Sequence, residues 1–494
     1  MKQIGHWINN REVYPTPERT GPVFNPATGE QTSEVAFASA GEVDGAVASA
    51  VAAAADWRES SLAQRTRVMF AFRELLERHR EDLAASLTAE HGKVHSDALG
   101  EVVRGIENVE FACGVTDILK GQHSEQVSTG VDVGSVRQPL GVVAGITPFN
   151  FPAMVPLWMY PNAIACGNAF VLKPSEKDPS VTLMAAELLA EAGLPDGVLT
   201  IVHGDKVAVD TLLRHPDVAA VSFVGSTPIA QHIYATATAE GKRAQCLGGA
   251  KNHMVVLPDA DLDLAADAAV SAAYGSAGER CMAISAVAAV GDIGGPLVDA
   301  IRKRIGDIVV GDGRHSESVM GPLITADHLA KVSGYLDAAA EQGAEVTVDG
   351  RDAELPDHGF FLGPSLVDHV TTDMSCYTDE IFGPVLSIVR ADSYPDAVDL
   401  IKNNPWGNGA AIFTRDGGAA RAFVRDADAG MVGINVPIPV PVAAYSFGGW
   451  GRSLFGDLHA YGPDGIRFYT QTKVVTTRWP DPATSSVDLG FPQT

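Results

Sequence analysis

Cys281 lies in Gly278-Glu279-Arg280-Cys281-Met282, directly after the small-residue segment Tyr274-Gly275-Ser276-Ala277-Gly278. A thiolate is the nucleophilic form of cysteine, and a neighbouring cation lowers the cost of forming it. Arg280 is such a cation if its side chain lies beside the sulfur. Most free cysteines are instead small buried core residues, so Cys281 alone does not define a reactive centre. Arg104 lies among Val102, Val103, Ile106 and Val109, a pattern that ordinarily marks a snorkelling or structural arginine. The fourteen histidines show no metal-ligand spacing, and the five cysteines (Cys113, Cys166, Cys246, Cys281, Cys376) include no C-x-x-C pair. Neither a zinc site nor a disulfide framework is suggested, and a reducing compartment fits.

These residues must be held by a large scaffold. The chain has 494 residues, enough for about three domains at roughly 150 residues each. Hydrophobic residues make up 46% and the net charge is −25, from 61 acidic and 36 basic residues. A substantial core is therefore available, and nucleic acid or anionic membrane surfaces are poor partners. The N-terminus has no signal-like apolar run or Arg-rich leader, and no stretch approaches a membrane span. The expectation is a cytoplasmic enzyme acting on small molecules.

Residues 41 to 120 follow a helical period, with amphipathic packing over Leu62 to His91 and a helix from Ala98 to Lys120. Residues 127–139 alternate and predict a hairpin. From Val142 the pattern becomes strand–helix alternation: strands at 142–146, 170–172, 198–202 and 220–224, with helices between. That implies a parallel sheet with crossover helices. No G-x-G-x-x-G follows the first strand, so the pattern reaches only as far as a nucleotide-binding architecture. Alternation resumes at His253 and predicts a second α/β domain to about 440. The β-prone run from Phe468 to Arg478 is expected to pair with the hairpin in a protruding sheet whose edge invites another subunit. The end beyond Pro480 is expected to be loosely held.

Six ordered motifs carry a resemblance over residues 5 to 480. They are Thr147-Pro148-Phe149-Asn150-Phe151-Pro152, Lys173-Pro174-Ser175-Glu176, Phe223-Val224-Gly225-Ser226, Gly249-Ala250-Lys251-Asn252, Gly278-Glu279-Arg280-Cys281 and Glu380-Ile381-Phe382-Gly383-Pro384. Together they resemble the aldehyde dehydrogenase superfamily. A closer resemblance is to its methylmalonate-semialdehyde dehydrogenase branch, which acylates coenzyme A. It rests on Arg104-Gly105, residues 249–253, Arg280 to Ala283, Asn435 to Pro441, and Gly465 to Gln471.

The resemblance implies an α/β fold of two Rossmann-type open parallel-sheet domains plus a small β oligomerisation extension. It implies an NAD-binding domain over 1–126 and 140–252, a catalytic domain over 253–445, and an extension and tail over 127–139 and 446–494. Cys281 would be the nucleophile, and the side chain of Asn150 would donate to the oxyanion together with the Cys281 backbone N–H. NAD would be held by Thr147, Phe149, Lys173, Glu176, Lys177, Ser226, Gly248 and Glu380, with Phe382 as a brace. A carboxylate at Glu176 favours NAD over NADP. Ala230 stands where glycine is frequent in the family. Arg104 and Arg280 would fork the carboxylate of a malonate or methylmalonate semialdehyde; the alternative for Arg104 is a packing role with Glu101 or Glu107. Cys246 and His253 are read as structural. A homotetramer and a place in valine or inositol catabolism are further implications.

One departure is informative. Hydrolytic members of the superfamily carry Glu at the head of Glu-Leu-Gly-Gly-Lys, where it activates water. Here Leu247 takes that position, with Gln245 and Cys246 beside it. Leucine cannot act as a general base. Acyl transfer to coenzyme A should therefore exceed hydrolysis. The rivals are a hydrolytic semialdehyde dehydrogenase of the same fold and a non-catalytic protein that kept the fold; intact Cys281, Asn150 and Glu380 count against the second.

Overall fold

A computed structural model of the chain describes residues 1–14, 19–479 and 483. Two open sheets organise it. In the first, five parallel strands run in the spatial order Arg243–Leu247, Val218–Val224, Val142–Ile146, Ala169–Lys173 and Leu199–Ile201. These strands are almost entirely buried, as expected for strands covered on both faces. The chain lays down 142–146 first, moves outward through 169–173 and 199–201, then returns to the other side at 218–224. The reversal leaves a crevice at the carboxyl ends of strands 142–146 and 218–224, where open α/β sheets bind ligands.

The connection from 247 to 252 carries the chain into the second sheet. Its spatial order is Glu345–Val348, Ser365–Asp368, Val385–Ala391, Ile284–Val290, Asn252–Val256, Gly409–Phe413 and Met431–Ile434, with only 345–348 antiparallel. Asn252 already pairs with Ile284, so the second sheet begins one residue before the expected boundary. A third sheet joins Thr470–Arg478 to Val131–Pro139 along their full length, with His123–Ser128 on the far side. The pairing of the tail strand with the hairpin is as expected, though the hairpin begins at His123.

Three expectations need correction. The first sheet is mixed, because His6–Ile8, Arg11–Val13 and Leu454–Phe455 add antiparallel strands at its edges. Residues 446–469 do not belong to the extension. The pair 454–455 covers the otherwise open edge of 243–247, and the helix Gly462–Phe468 packs on the helix Met154–Ala165; an uncovered edge would be an aggregation liability. The helical region is also divided. Leu62–Arg78 ends at His79, Arg80–His91 ends at a left-handed Gly92, and His95–Cys113 follows. The end beyond Pro480 lies outside the described residues, apart from Ala483. Among the described residues no helix is long and apolar enough to cross a membrane.

Candidate active site

Cys281 sits between the two sheets, three residues before the strand Ile284–Val290. The loop that delivers it is strained. Ser276, Ala277 and Gly278 all have positive φ (51°, 51° and 74°), a region that non-glycine residues enter at a cost and hold only when surroundings over-determine it. Gly278 is obligatory here, since a Cβ would lie 2.2 Å from the carbonyl oxygen of Gly383. The Cys281 carbonyl is fixed from two sides, by Nδ2 of Asn252 (2.9 Å) and of Asn408 (3.1 Å). Asn252 also donates to Ala283 O and accepts from Gly409 N–H. Sequence reasoning used Asn252 only as part of a motif and missed Asn408, which has no local signal.

Two cavities meet at this cysteine. The larger, about 620 Å³, occupies the crevice of the first sheet and is lined by Thr147, Phe149, Asn150, Lys173, Glu176, Lys177, Ser226, Cys281, Glu380 and Phe382 among others. The smaller, about 310 Å³, opens on the other side of Cys281 and is lined by Arg104, Arg280, Phe151, Met154, Trp158, Ile438 and Phe447 among others. Gly248 lines neither cavity. Its N–H donates to Ser453 O, and a Cβ would lie 2.7 Å from the carbonyl of Arg452. Close approach to the 452–453 segment and to Thr227 accounts for the glycine.

The larger cavity has the chemistry of a dinucleotide site. Thr147 Oγ1 is buried and has no hydrogen-bond partner. The helix Thr227–Ala239 starts at the cleft, and its N-cap Ser226 makes no side-chain capping bond; Pro228 has no N–H, so the N–H groups of Thr227 and Ile229 are the ones available to an anion. Lys173 Nζ donates to Glu176 at 2.9 Å. Burial pushes the Glu176 carboxyl up, but Lys173 and Lys177 more than offset this and hold it below its ordinary range. An ionised acceptor suits a ribose hydroxyl and repels a phosphate. Ala230 is fully buried; Ile229, beside it, lines the cleft.

At the inner end, Glu380 accepts from Ala250 N–H at 2.9 Å, and burial pushes its carboxyl up to about 7. Gly249 makes room, because a Cβ there would lie 2.2 Å from the carboxylate. Lys251, fully enclosed, donates to the carbonyls of Cys376 and Asp379 and so pins the segment that carries Glu380. Phe149 stacks on His91 (6.0 Å between centroids) and meets Phe382 edge-on (5.9 Å). Phe382 itself has φ +58°, and its carbonyl is held by His328 Nε2 at 2.7 Å.

Asn150 is buried, and its Nδ2 donates to the carbonyl of Glu279, two residues before the nucleophile, at 2.8 Å. The expected help from Arg280 is weaker than the sequence suggests. Burial and then the charge of Glu380 push the Cys281 thiol up to about 12, and Arg280 is the smallest of the influences pulling it down. Arg280 is instead paired with Asp97 at 2.5 Å, and Arg104 with Glu107 at 2.7 Å. Both arginines nevertheless line the smaller cavity. Leu247 is buried in the core at the end of the strand Arg243–Leu247 and lines neither cavity. Glu279 is fully buried, with its Oε1 on Ile324 N–H and its carboxyl facing His91 and His328. Cys246 is buried in the 243–247 strand, and His253 is buried against the Tyr377 hydroxyl at 2.9 Å, both structural as expected.

A partly buried thiol between a dinucleotide-sized crevice and an apolar, arginine-bearing pocket fits an aldehyde-oxidising class of enzyme. The chain belongs to the aldehyde dehydrogenase family, whose model matches residues 14–475. It is 56% identical to a malonate-semialdehyde dehydrogenase of Pseudomonas aeruginosa, covering 99% of each chain. Among solved structures, a methylmalonate-semialdehyde dehydrogenase from Oceanimonas doudoroffii superposes with a TM-score of 0.96 at 56% identity, over 98% of this chain and 99% of that one. A Sinorhizobium meliloti protein, provisionally assigned to the same activity and solved with NAD, also superposes at 0.96, with 51% identity over 98% of this chain and 99% of that one.

Proposed function

We propose that this chain oxidises malonate semialdehyde or methylmalonate semialdehyde with NAD and passes the decarboxylated acyl group to coenzyme A. The observation that carries this reading is the position of Cys281 where the two cavities meet, with Arg104 and Arg280 lining the smaller one. The names of the relatives support the substrate class.

The Cys281 thiol gives up its proton to solvent as its sulfur bonds to the aldehyde carbon, and the Asn150 amide faces the oxyanion that forms. NAD, when bound in the larger cavity, supplies the hydride acceptor. Thr147, Ser226, Lys173 and Glu176 would hold it at the outer end, and Glu380, Phe149 and Phe382 at the inner end. A thioester then remains on Cys281. Arg104 and Arg280 orient the substrate carboxylate; when its C–C bond breaks, CO2 leaves and the electron pair enters the thioester carbonyl. A proton taken up at carbon gives the acetyl or propionyl thioester. The coenzyme A thiol attacks that carbonyl, and the Cys281 thiolate leaves.

Self-association through the protruding sheet, as a homotetramer, completes the proposal. The five cysteines are all free, which supports a reducing, cytoplasmic setting. Turnover of malonate semialdehyde, methylmalonate semialdehyde and propanal with NAD and coenzyme A tests the reading. Acetyl-CoA and propionyl-CoA should form from the two acids. A thioester that retains the carboxylate, or faster turnover of propanal, would contradict it.

A further inference from the structure

Beneath the active-site turn lies an ion pair shut off from solvent. Lys93 Nζ and Glu101 Oε2 are 2.7 Å apart, and both side chains are 0% exposed. A buried pair is weak evidence for stability, because desolvation offsets the attraction. What this pair touches is more telling. Lys93 Nζ also donates to the backbone carbonyl of Asn150 at 2.7 Å and lies 4.5 Å from the centre of the Phe151 ring. Glu101 Oε1 accepts the N–H groups of Ala153 and Met154, at 2.8 and 3.1 Å. Every remaining partner of the pair thus belongs to residues 150–154, the turn that carries the amide of Asn150. The lysine is itself anchored. A Cβ on Gly313 or Gly321 would lie 2.5 or 2.2 Å from a carbonyl oxygen of Lys93 or Gly92, and His95 N–H donates to Gly313 O.

We infer that Lys93 and Glu101 are positioning residues that hold the 150–154 turn so that the Asn150 amide is aimed at the nucleophile loop. This rests on the oxyanion role proposed for Asn150. Glu101 also lines the smaller cavity, but the hydrogen bonds of the two residues run to each other and to the backbone of Asn150, Ala153 and Met154, so they act through the backbone of that turn. A misplacement of about 1 Å at such a donor can cost on the order of a hundredfold in rate.

Truncating Lys93 alone would strand a buried carboxylate, so the informative variant is the pair Lys93→Met with Glu101→Gln. It removes both charges at similar volume and leaves an amide oxygen for Ala153 and Met154. The measurement is the pre-steady-state rate of NADH formation at saturating NAD and aldehyde, in wild type, the paired variant, Asn150→Ala, and all three substitutions together. The paired variant should lose roughly tenfold or more in the wild-type background and less than about twofold beside Asn150→Ala, since coupled residues are non-additive. NAD affinity should be retained in all four. If Asn150→Ala leaves the rate unchanged, the oxyanion reading fails and this inference with it. If Asn150→Ala slows the rate but the paired variant does not, or slows it equally in both backgrounds, only the positioning role is overturned. Loss of NAD affinity in the paired variant would likewise show a general structural role.

Discussion

The thiol of Cys281 is surrounded by groups that oppose its ionisation: burial first, then the charge of Glu380, which together push it up to about 12. Alkylation by iodoacetamide in the absence of NAD and aldehyde should therefore be slow at neutral pH and still be rising above pH 9. A plateau below pH 8 would show that Arg280 activates the thiol after all. Each arginine has an acidic partner to give up on binding a carboxylate, Asp97 for Arg280 and Glu107 for Arg104, and the Arg280–Asp97 pair is the more buried. Exposed ion pairs contribute only about 0.2–1 kcal/mol, and the half-exposed Arg104–Glu107 pair is weak enough for a substrate carboxylate to compete for Arg104. Arg104→Ala should raise KM for malonate semialdehyde by roughly tenfold or more, the worth of a charge-assisted hydrogen bond, with little change for propanal. Equal effects on both substrates would make the arginine structural. The reacting residues were legible in sequence because their motifs are local. Asn408, Lys93 and Glu101 were not read for their present contacts, because each acts on a segment far away in the chain, and nothing in its neighbours encodes that meeting.

The element that matters most is the loop 275–281. It combines three successive positive-φ residues with a fully buried carboxyl, Glu279, whose Oε2 makes no hydrogen bond and faces His91 Nε2 at 3.9 Å. Burial pushes that carboxyl up to about 8 from an ordinary 4.5. The folded chain thus keeps a proton that the unfolded chain releases. Its contribution to stability is fully present below about pH 4.5 and lost as pH rises through about 8. Glu279→Gln should flatten the fall in melting temperature between pH 5 and pH 8.5, and an unchanged slope would place the proton elsewhere. Strand–helix alternation placed the strands 142–146, 169–173, 199–201 and 218–224 to within two residues, because buried β-branched runs carry their own signal; the strand 243–247 and the later strands of the second sheet were not placed one by one. The return of 446–469 to the first sheet was not readable. Leu454–Phe455 is two residues long, too short for any period, and its pairing is decided by the open edge it covers.

At the scale of the molecule, the protruding sheet joins segments more than 300 residues apart, and it exposes Val474 and Val475 at 66% and 43% and Val136 at 45%. A sheet with an uncovered edge and exposed valines of this kind suits another copy of the chain. Val474→Lys combined with Val475→Lys should lower the mass measured by light scattering from that of a tetramer, with the NADH burst per subunit retained; an unchanged mass would remove the sheet from the interface. The central claim concerns what happens to the acyl group once it is on sulfur, where Leu247 offers no base to activate water. NADH formation from malonate semialdehyde, followed with and without coenzyme A, tests this most directly. The expected result without coenzyme A is a burst equal to the enzyme concentration followed by slow turnover, with sustained turnover and acetyl-CoA release once coenzyme A is added. Equal steady rates in the two conditions, with free acid as the product, would contradict it.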